Sequence, residues 1–343
     1  MVALLPLLVL ARAASAEQLE LDTATTIRAR RQFIVSGESA VSSGRAADST
    51  FRDVASAVAA VRALPKEQRC GATVTIAGGV YTGEANAFRL TAEDSGCAGD
   101  PVVYRADPND PEPVVLSGGA QIPPGAFKPS GKTPGGLPIW EADLGLLGLS
   151  DLASTSAQFH TGWICANGNR TEFFFGGNAM VLARHPNLGT QGTWQYLRQG
   201  ASLSAMSFVA GTDDTAGDAN ISAGAAWLKG LGSDGSAWVH GFFSWDWADS
   251  FAPVKAIHSS PSGHEVTVDL DVAPAYGLKP GSRYLFLNSK SLLDAPGEYY
   301  IDGSASKLYF VPPVGVDPTR APATPTGGAF LSQQQQLLRC THL

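Results

Sequence analysis

Short β-rich runs cut at close intervals by Gly, Asp and Pro constrain this chain most. Thr73 to Ile76, Phe88 to Leu90, Pro101 to Arg105 and Pro113 to Leu116 are divided by GGVYTG, EDSGCAGD and DPNDPE. Strands this short bury too little surface alone and must stack on neighbours of the same kind. A strand entering the stack is expected over Thr26 to Ser36, ending in Phe33-Ile34-Val35. A helix follows it. Thr50 is placed to cap that helix with Asp53 three residues on, and Val54, Val58 and Val61 share a face with Leu64 nearby. Pro65 stops it.

Composition supports an all-β, loop-rich protein. Of 343 residues, 44% are apolar, so a core of two domains is within reach, while only 16% are charged and Gly 38 and Pro 22 are both plentiful. The net charge of −7 gives no basic field for phosphates, and the 24 Lys and Arg are scattered, which excludes nucleic acid as an expected partner. No His/Cys spacing implies zinc, and no cofactor is implied.

The N-terminus reads as a signal peptide over residues 1–16. Val2 to Leu10 is apolar and Ala14-Ser15-Ala16 precedes Glu17, so the mature chain is expected to be secreted to the extracellular side. The apolar run is too short to span a bilayer, and no later segment is long enough either. Cys70 sits just before TVTIAGG and Cys97 just before PVVYRAD. If those runs are neighbouring parallel strands, the sulfurs lie at equivalent ends, and a Cys70–Cys97 disulfide is expected. Cys165 and Cys340 lack an obvious relation. Asn169 (NRT) and Asn220 (NIS) are glycosylation acceptors if the host is eukaryotic.

From Gln121 the pattern changes. A Pro/Gly-rich link leads, after Trp140, to aromatic-rich strand candidates at Gln158 to Cys165, Glu172 to Phe175, Met180 to Arg184, Ala237 to Phe243, Val254 to His258, Glu265 to Leu270 and Arg283 to Leu287. In EVTVDLD, Val266, Val268 and Leu270 alternate with polar partners, as in a half-buried antiparallel strand. Residues 120–290 are therefore expected to form an inserted β-sandwich-like domain. Beyond it, Tyr299-Tyr300-Ile301 and Leu308 to Val311, split by Asp302-Gly303-Ser304, form a hairpin. The tail from Phe330 carries no stop signal for any element.

The runs LDAPGEYYID and LYFVPP, with GGVY, EDSG, PVVYRA, PVVLSGG, AMVLARHPN and AWVHGFFSWDWADSF, resemble secreted right-handed parallel β-helix proteins of the pectin-lyase-like superfamily. The resemblance covers most of residues 51–313. It implies an N-terminal strand, cap helix and first coils over 17–119, the insertion over 120–290, and a return hairpin into the stack over 291–343. In carbohydrate-active relatives the catalytic carboxylates come from later coils, so the resemblance implies a C-terminally truncated chain and transfers no catalytic residue.

The densest aromatic and acidic constellation is Trp238, His240, Phe242, Phe243, Trp245, Asp246, Trp247, Asp249 and Phe251. Indoles beside carboxylates suit a sugar, whose C–H face packs on the ring while its hydroxyls donate to the acid. Trp238, His240, Trp245 and Trp247 are the expected substrate-binding residues, and Asp246 and Asp249 the acids to test as catalytic. The competing reading fills a core with alternate residues of one strand. Asp294 and Glu298 are expected to close the turn at Pro296-Gly297.

Two motifs carry nothing. Gly230 to Gly235 fits GxGxxG but leads into a strand, and Gly125 to Thr133 misses P-loop spacing. No GxSxG elbow is present. The expected function is an exported carbohydrate-active protein of glycoside-hydrolase type whose partner is a polysaccharide or glycan, with a polysaccharide lyase less favoured. The alternatives are a non-catalytic glycan-binding or surface protein and an inactive fragment.

Overall fold

The structure is a computed structural model that describes residues 8–9, 31–36, 49–154, 159, 170–213, 226–231, 235–259, 266–320, 327–333 and 337–341. The Gln158 to Cys165 run apart from Phe159, Cys165 itself, the acceptors Asn169 and Asn220, and the leader apart from Leu8–Val9 lie outside the described residues. The fold is all-β, 16% helical and 45% strand, with antiparallel pairing prevailing. Two compact units are present: residues 1–121 with 324–343, and residues 122–323.

The first unit is built on parallel ladders. Ser49–Phe51, Gln32–Val35, Thr73–Ile76 and Val103–Ala106 form one four-stranded sheet in that order, with Phe33 opposite Val74 and Val74 opposite Tyr104. Gly79–Thr82 pairs parallel with Val114–Ser117, and Phe88–Thr91 pairs parallel with Leu338–Thr341. Thr73 to Ile76 and the PVVYRA run are thus neighbouring parallel strands, as expected. The second of them begins at Val103 rather than Pro101, whose ring lacks the N–H that a ladder needs.

Within GGVYTG, which reads as a corner in the sequence, Gly79–Thr82 is a strand. Tyr81 is buried beneath it with its hydroxyl donating to the Ala77 carbonyl at 2.9 Å. Leu8–Val9 lies antiparallel to Val115 and Leu116.

The Val54–Arg62 helix buries Val54, Ala57, Val58 and Val61 against Val35, Val74, Ile76, Tyr81 and Phe88. Each of the valines contributes about 1.5–3 kcal/mol when fully buried. Its cap is Asp53, whose carboxylate accepts the Ser56 N–H at 2.8 Å, and not Thr50. Thr50 is held extended in the ladder opposite Ile34, so its backbone is committed to the sheet. Cys70 and Cys97 are disulfide-bonded with Cα atoms 5.0 Å apart, each just ahead of its strand. Cys340 is a free, exposed thiol.

The second unit corrects the expected β-sandwich. Leu197–Ser204, Ser207–Asp213, Val266–Leu270, Ala248–Ser259, Trp238–Trp245 and Arg283–Leu287 pair antiparallel in that order, and Arg283–Leu287 also pairs with Leu197 and Arg198. The ring closes into a six-stranded barrel. A sandwich would leave sheet edges open, whereas closure pairs them. Phe208, Val239, Phe243, Val268, Tyr284 and Phe286 fill the interior.

Gly241 faces that interior. A Cβ there would meet Phe243 Cζ and Tyr284 Cβ at 2.8 Å, so glycine lets the two rings approach the strand. Val266, Val268 and Leu270 are buried in alternation, as the EVTVDLD pattern predicts. Arg184–His185 joins the edge of Arg283–Leu287 as a seventh strand.

The hairpin of Glu298–Asp302 and Lys307–Phe310 pairs with Pro138–Asp143 on one side and Val181–Leu182 on the other. It is part of the 122–323 unit. Among the described residues no helix is long and apolar enough to cross a membrane.

Candidate functional site

The structure divides the aromatic constellation in two. Alternation along Trp238–Trp245 sends Val239, Gly241 and Phe243 inward and Trp238, His240 and Phe242 to the outer wall of the barrel. Asp249 and Phe251 join them from the paired strand, where His240 stands opposite Phe251. His240 Nε2 lies 2.9 Å from Asp249 Oδ2, and the imidazole stacks on Phe251 with centroids 4.1 Å apart and planes 8° from parallel. Phe159 stacks in turn on Phe251 at 5.2 Å and leans on Trp238 at 4.8 Å.

Burial pushes the His240 pKa below its ordinary value, with the Asp249 hydrogen bond opposing the shift. The neutral ring therefore donates from Nε2 to the carboxylate. This wall is packed ring on ring, so for Trp238, His240 and Phe251 the core-filling reading fits best.

The other half lies at one end of the barrel. Trp245 pairs with Ala248 across a two-residue turn, Asp246-Trp247, and Ser204 pairs with Ser207 across Ala205-Met206. Both turns and the loop after Leu270 fall at the same end, because Ser207 opposes Asp269 and Val254 opposes Leu270. There Trp245 is 52% exposed, Trp247 56% and Tyr276 40%, and Leu203 and Met206 at the second turn and Val272 in the loop after Leu270 are exposed as well.

Two-residue turns favour Asn, Asp and Gly, so neither Trp247 nor Met206 is placed by turn chemistry. Monomeric proteins rarely expose apolar groups in such concentration without a use for them. Trp247 meets Tyr276 edge to face at 5.3 Å, and Lys279 Nζ lies 5.6 Å from the centre of the Trp245 ring. Ser244 Oγ donates to the Tyr276 and Gly277 carbonyls at 2.7 and 3.1 Å, which pins the loop to the hairpin. Asp246 pairs with Arg283 Nε at 3.0 Å, and that guanidinium lies 4.0 Å from the Phe242 ring centre and 4.9 Å from that of Tyr196.

Both acids proposed from sequence are thus tied. Asp249 holds His240 and Asp246 holds Arg283. The sequence reading missed Tyr276 and Lys279. Their signal was the loop APAYGLKPG, an aromatic and a cation among turn residues where a plain link needs neither.

A third cluster holds the most perturbed carboxyl among the described residues. Glu298 is 2% exposed, and its Oε2 accepts the backbone N–H groups of Asp294 and Ala295, each at 3.0 Å. Burial pushes its pKa up to about 8. Asp294 accepts from Asn187 Nδ2 at 2.8 Å. These acids close the turn around Pro296-Gly297, the role expected of them. Arg184 is buried nearby in the same network, donating to the Pro186 and Gln195 carbonyls with Trp194 over its guanidinium at 4.2 Å. Burial lowers its pKa to about 10.

A solved structure of a glycoside hydrolase shares this fold. It matches with a TM-score of 0.59 over 91% of the present chain at 18% identity. The match takes in 47% of that protein, so the present chain spans about half its length. No family model matches the sequence, and no curated protein does.

Proposed function

We propose that this chain is an exported, carbohydrate-active protein of glycoside-hydrolase type, acting on a polysaccharide. In this reading the parallel ladders of residues 31–121 and 327–341 are the first coils of a right-handed parallel β-helix, interrupted by the barrel unit. Residues 1–16 are the export signal. The observation that carries the glycan reading is the barrel end, where Trp245, Trp247 and Tyr276 stand exposed and Asp246 lies between the two tryptophans in sequence. Aromatic faces with a few fixed polar groups are the chemistry that holds a pyranose. The likeness to a glycoside hydrolase supports it at the level of fold, and the Cys70–Cys97 disulfide supports an oxidising compartment.

Hydrolysis needs two carboxyls flanking the bond, about 5–9.5 Å apart. Asp246 and Asp249 are engaged with Arg283 and His240, which favours, as the second reading, a chain that binds glycan without cleaving it. Incubation with a polysaccharide panel separates the two. Release of reducing ends supports the hydrolase, retention on insoluble glycan without products supports the binder, and neither on any glycan rejects both.

A further inference from the structure

We infer that the glycan surface continues from the barrel end along the outer wall to Trp194, so that it takes an extended chain of linked sugars and not a short fragment. The inference rests on the glycan reading above and names the length of substrate that the same unit holds.

Its first ground is an unbroken line of contacts between exposed rings. From the turn carrying Trp245 and Trp247, Asp246 reaches Arg283, whose guanidinium lies over Phe242 and Tyr196. The Tyr196 ring is 6.2 Å from Phe242 and 6.3 Å from Trp194, centre to centre, with its plane 25° from that of the indole. Trp194 is 52% exposed, as much as Trp245. Tyr196 and Phe242 are half-buried, so the line has an open platform at each end and a more sheltered stretch between. A pyranose, about as large as one aromatic ring, covers one platform at a time. Filling both ends takes a chain.

The second ground is the way Trp194 is held. The guanidinium of buried Arg184 lies 4.2 Å from the centre of its ring, and Arg184 is itself fixed by donating to the Pro186 and Gln195 carbonyls. One face of the indole is thus covered by the protein while the other is left to solvent. A platform set in place before the ligand arrives costs less to order on binding.

The third ground is hydrogen bonding between the platforms. The Arg283 side chain is 30% exposed, its Nε is held by Asp246, and its Nη1 and Nη2 have no partner among the described residues. They are donors placed to meet a sugar hydroxyl midway along the line. Once one end of a glycan is bound, its other sugars bind intramolecularly, so affinity rises with chain length.

The test is native affinity electrophoresis of the full chain in gels holding xyloglucan, mixed-linkage glucan, galactomannan or polygalacturonate, with disaccharide and hexasaccharide fragments of each polymer as competitors. At least one polymer should retard the wild type, and its hexasaccharide should compete at least tenfold better than its disaccharide. Trp194→Ala should abolish that advantage and leave competition by the disaccharide unchanged, whereas Trp194→Tyr, which keeps a flat ring, should retain most of it. Trp245→Ala should weaken both competitors, and Leu146→Ala, in an exposed loop elsewhere in the unit, neither.

A disaccharide that competes as well as the hexasaccharide overturns the inference, as does a length advantage that survives in Trp194→Ala. So does a dimer that Trp194→Ala dissociates in size-exclusion chromatography, because the ring would then be a contact between two copies. Release of reducing ends without retardation by any polymer overturns it too. In each of these cases retardation or cleavage by the wild type leaves the proposed function standing, and only the extension of the surface falls. If no glycan is bound or cleaved, both fall together.

Discussion

The parallel-ladder unit and the barrel solve the same problem, hiding the backbone groups of short strands, in opposite ways. In the first, strands three or four residues long lie in parallel pairs, and Val103–Ala106 and Leu338–Thr341 end their sheets with Val103 and Leu338 partly exposed. In the second, closure leaves the ring without an edge, and hairpins supply most of the pairing. A closed wall can spare its end for display. Trp245, Trp247, Tyr276, Met206 and Leu203 are exposed there.

The difference is open to measurement, because every tryptophan of the sequence lies between Trp140 and Trp247, within the barrel unit. Tryptophan fluorescence reports on that unit alone, and far-UV circular dichroism on both. Phe286→Ala empties a fully buried position in the barrel. It is expected to cost about 3–5 kcal/mol and to lower the fluorescence midpoint in urea. A matching fall in the part of the dichroism change that fluorescence does not follow would mean that the two units unfold as one body.

Replacing Cys70 and Cys97 together by alanine should take about 2–4 kcal/mol from the ladder unit and leave the fluorescence transition where it was. A shift of that transition by the same amount would abolish the distinction.

Glu298 sharpens it by pH. Its carboxyl is raised to about 8 in the folded protein from an ordinary 4.5. The folded state therefore holds a proton that the unfolded state has released, and stability from this group is full below about 4.5 and lost as pH rises to about 8. The barrel unit should weaken progressively across that window, and Glu298→Gln should flatten the slope. A barrel midpoint that climbs between those pH values would refute the assignment.

The smallest expected effect on stability is at the barrel end. Trp247→Ala should change the fluorescence midpoint by less than about 0.5 kcal/mol, although glycan retention falls. A larger loss would make Trp247 a packing residue.

The ladder unit was largely legible in the sequence because its determinants are local. TVTI and PVVYRA announce themselves by β-branched content between Gly, Asp and Pro, and the cysteines before them fix which two runs are neighbours. Gly79–Thr82 escaped because its flanking glycines read as a corner. The barrel was legible in its strands but not in its closure, which depends on Arg283–Leu287 meeting Trp238–Trp245 on one side and Leu197–Arg198 on the other. No local pattern encodes a strand with two distant partners. Leu197–Ser204 was missed as a strand because LRQGASLS is polar, with Gly200 in its middle.

The site was half legible. Composition picked out Trp245 and Trp247, but alternation along one strand, broken by a register shift between Gly241 and Trp245, separates them from Trp238 and His240.

Arg283–Leu287 is also the final stave of the ring in order of synthesis. Until the ribosome has delivered it, the nascent strands at 197–204 and 238–245 each carry a bare flank of amide donors and carbonyl acceptors, ready to zip onto a neighbouring polypeptide. The closing strand therefore also removes two edges on which another chain could pair.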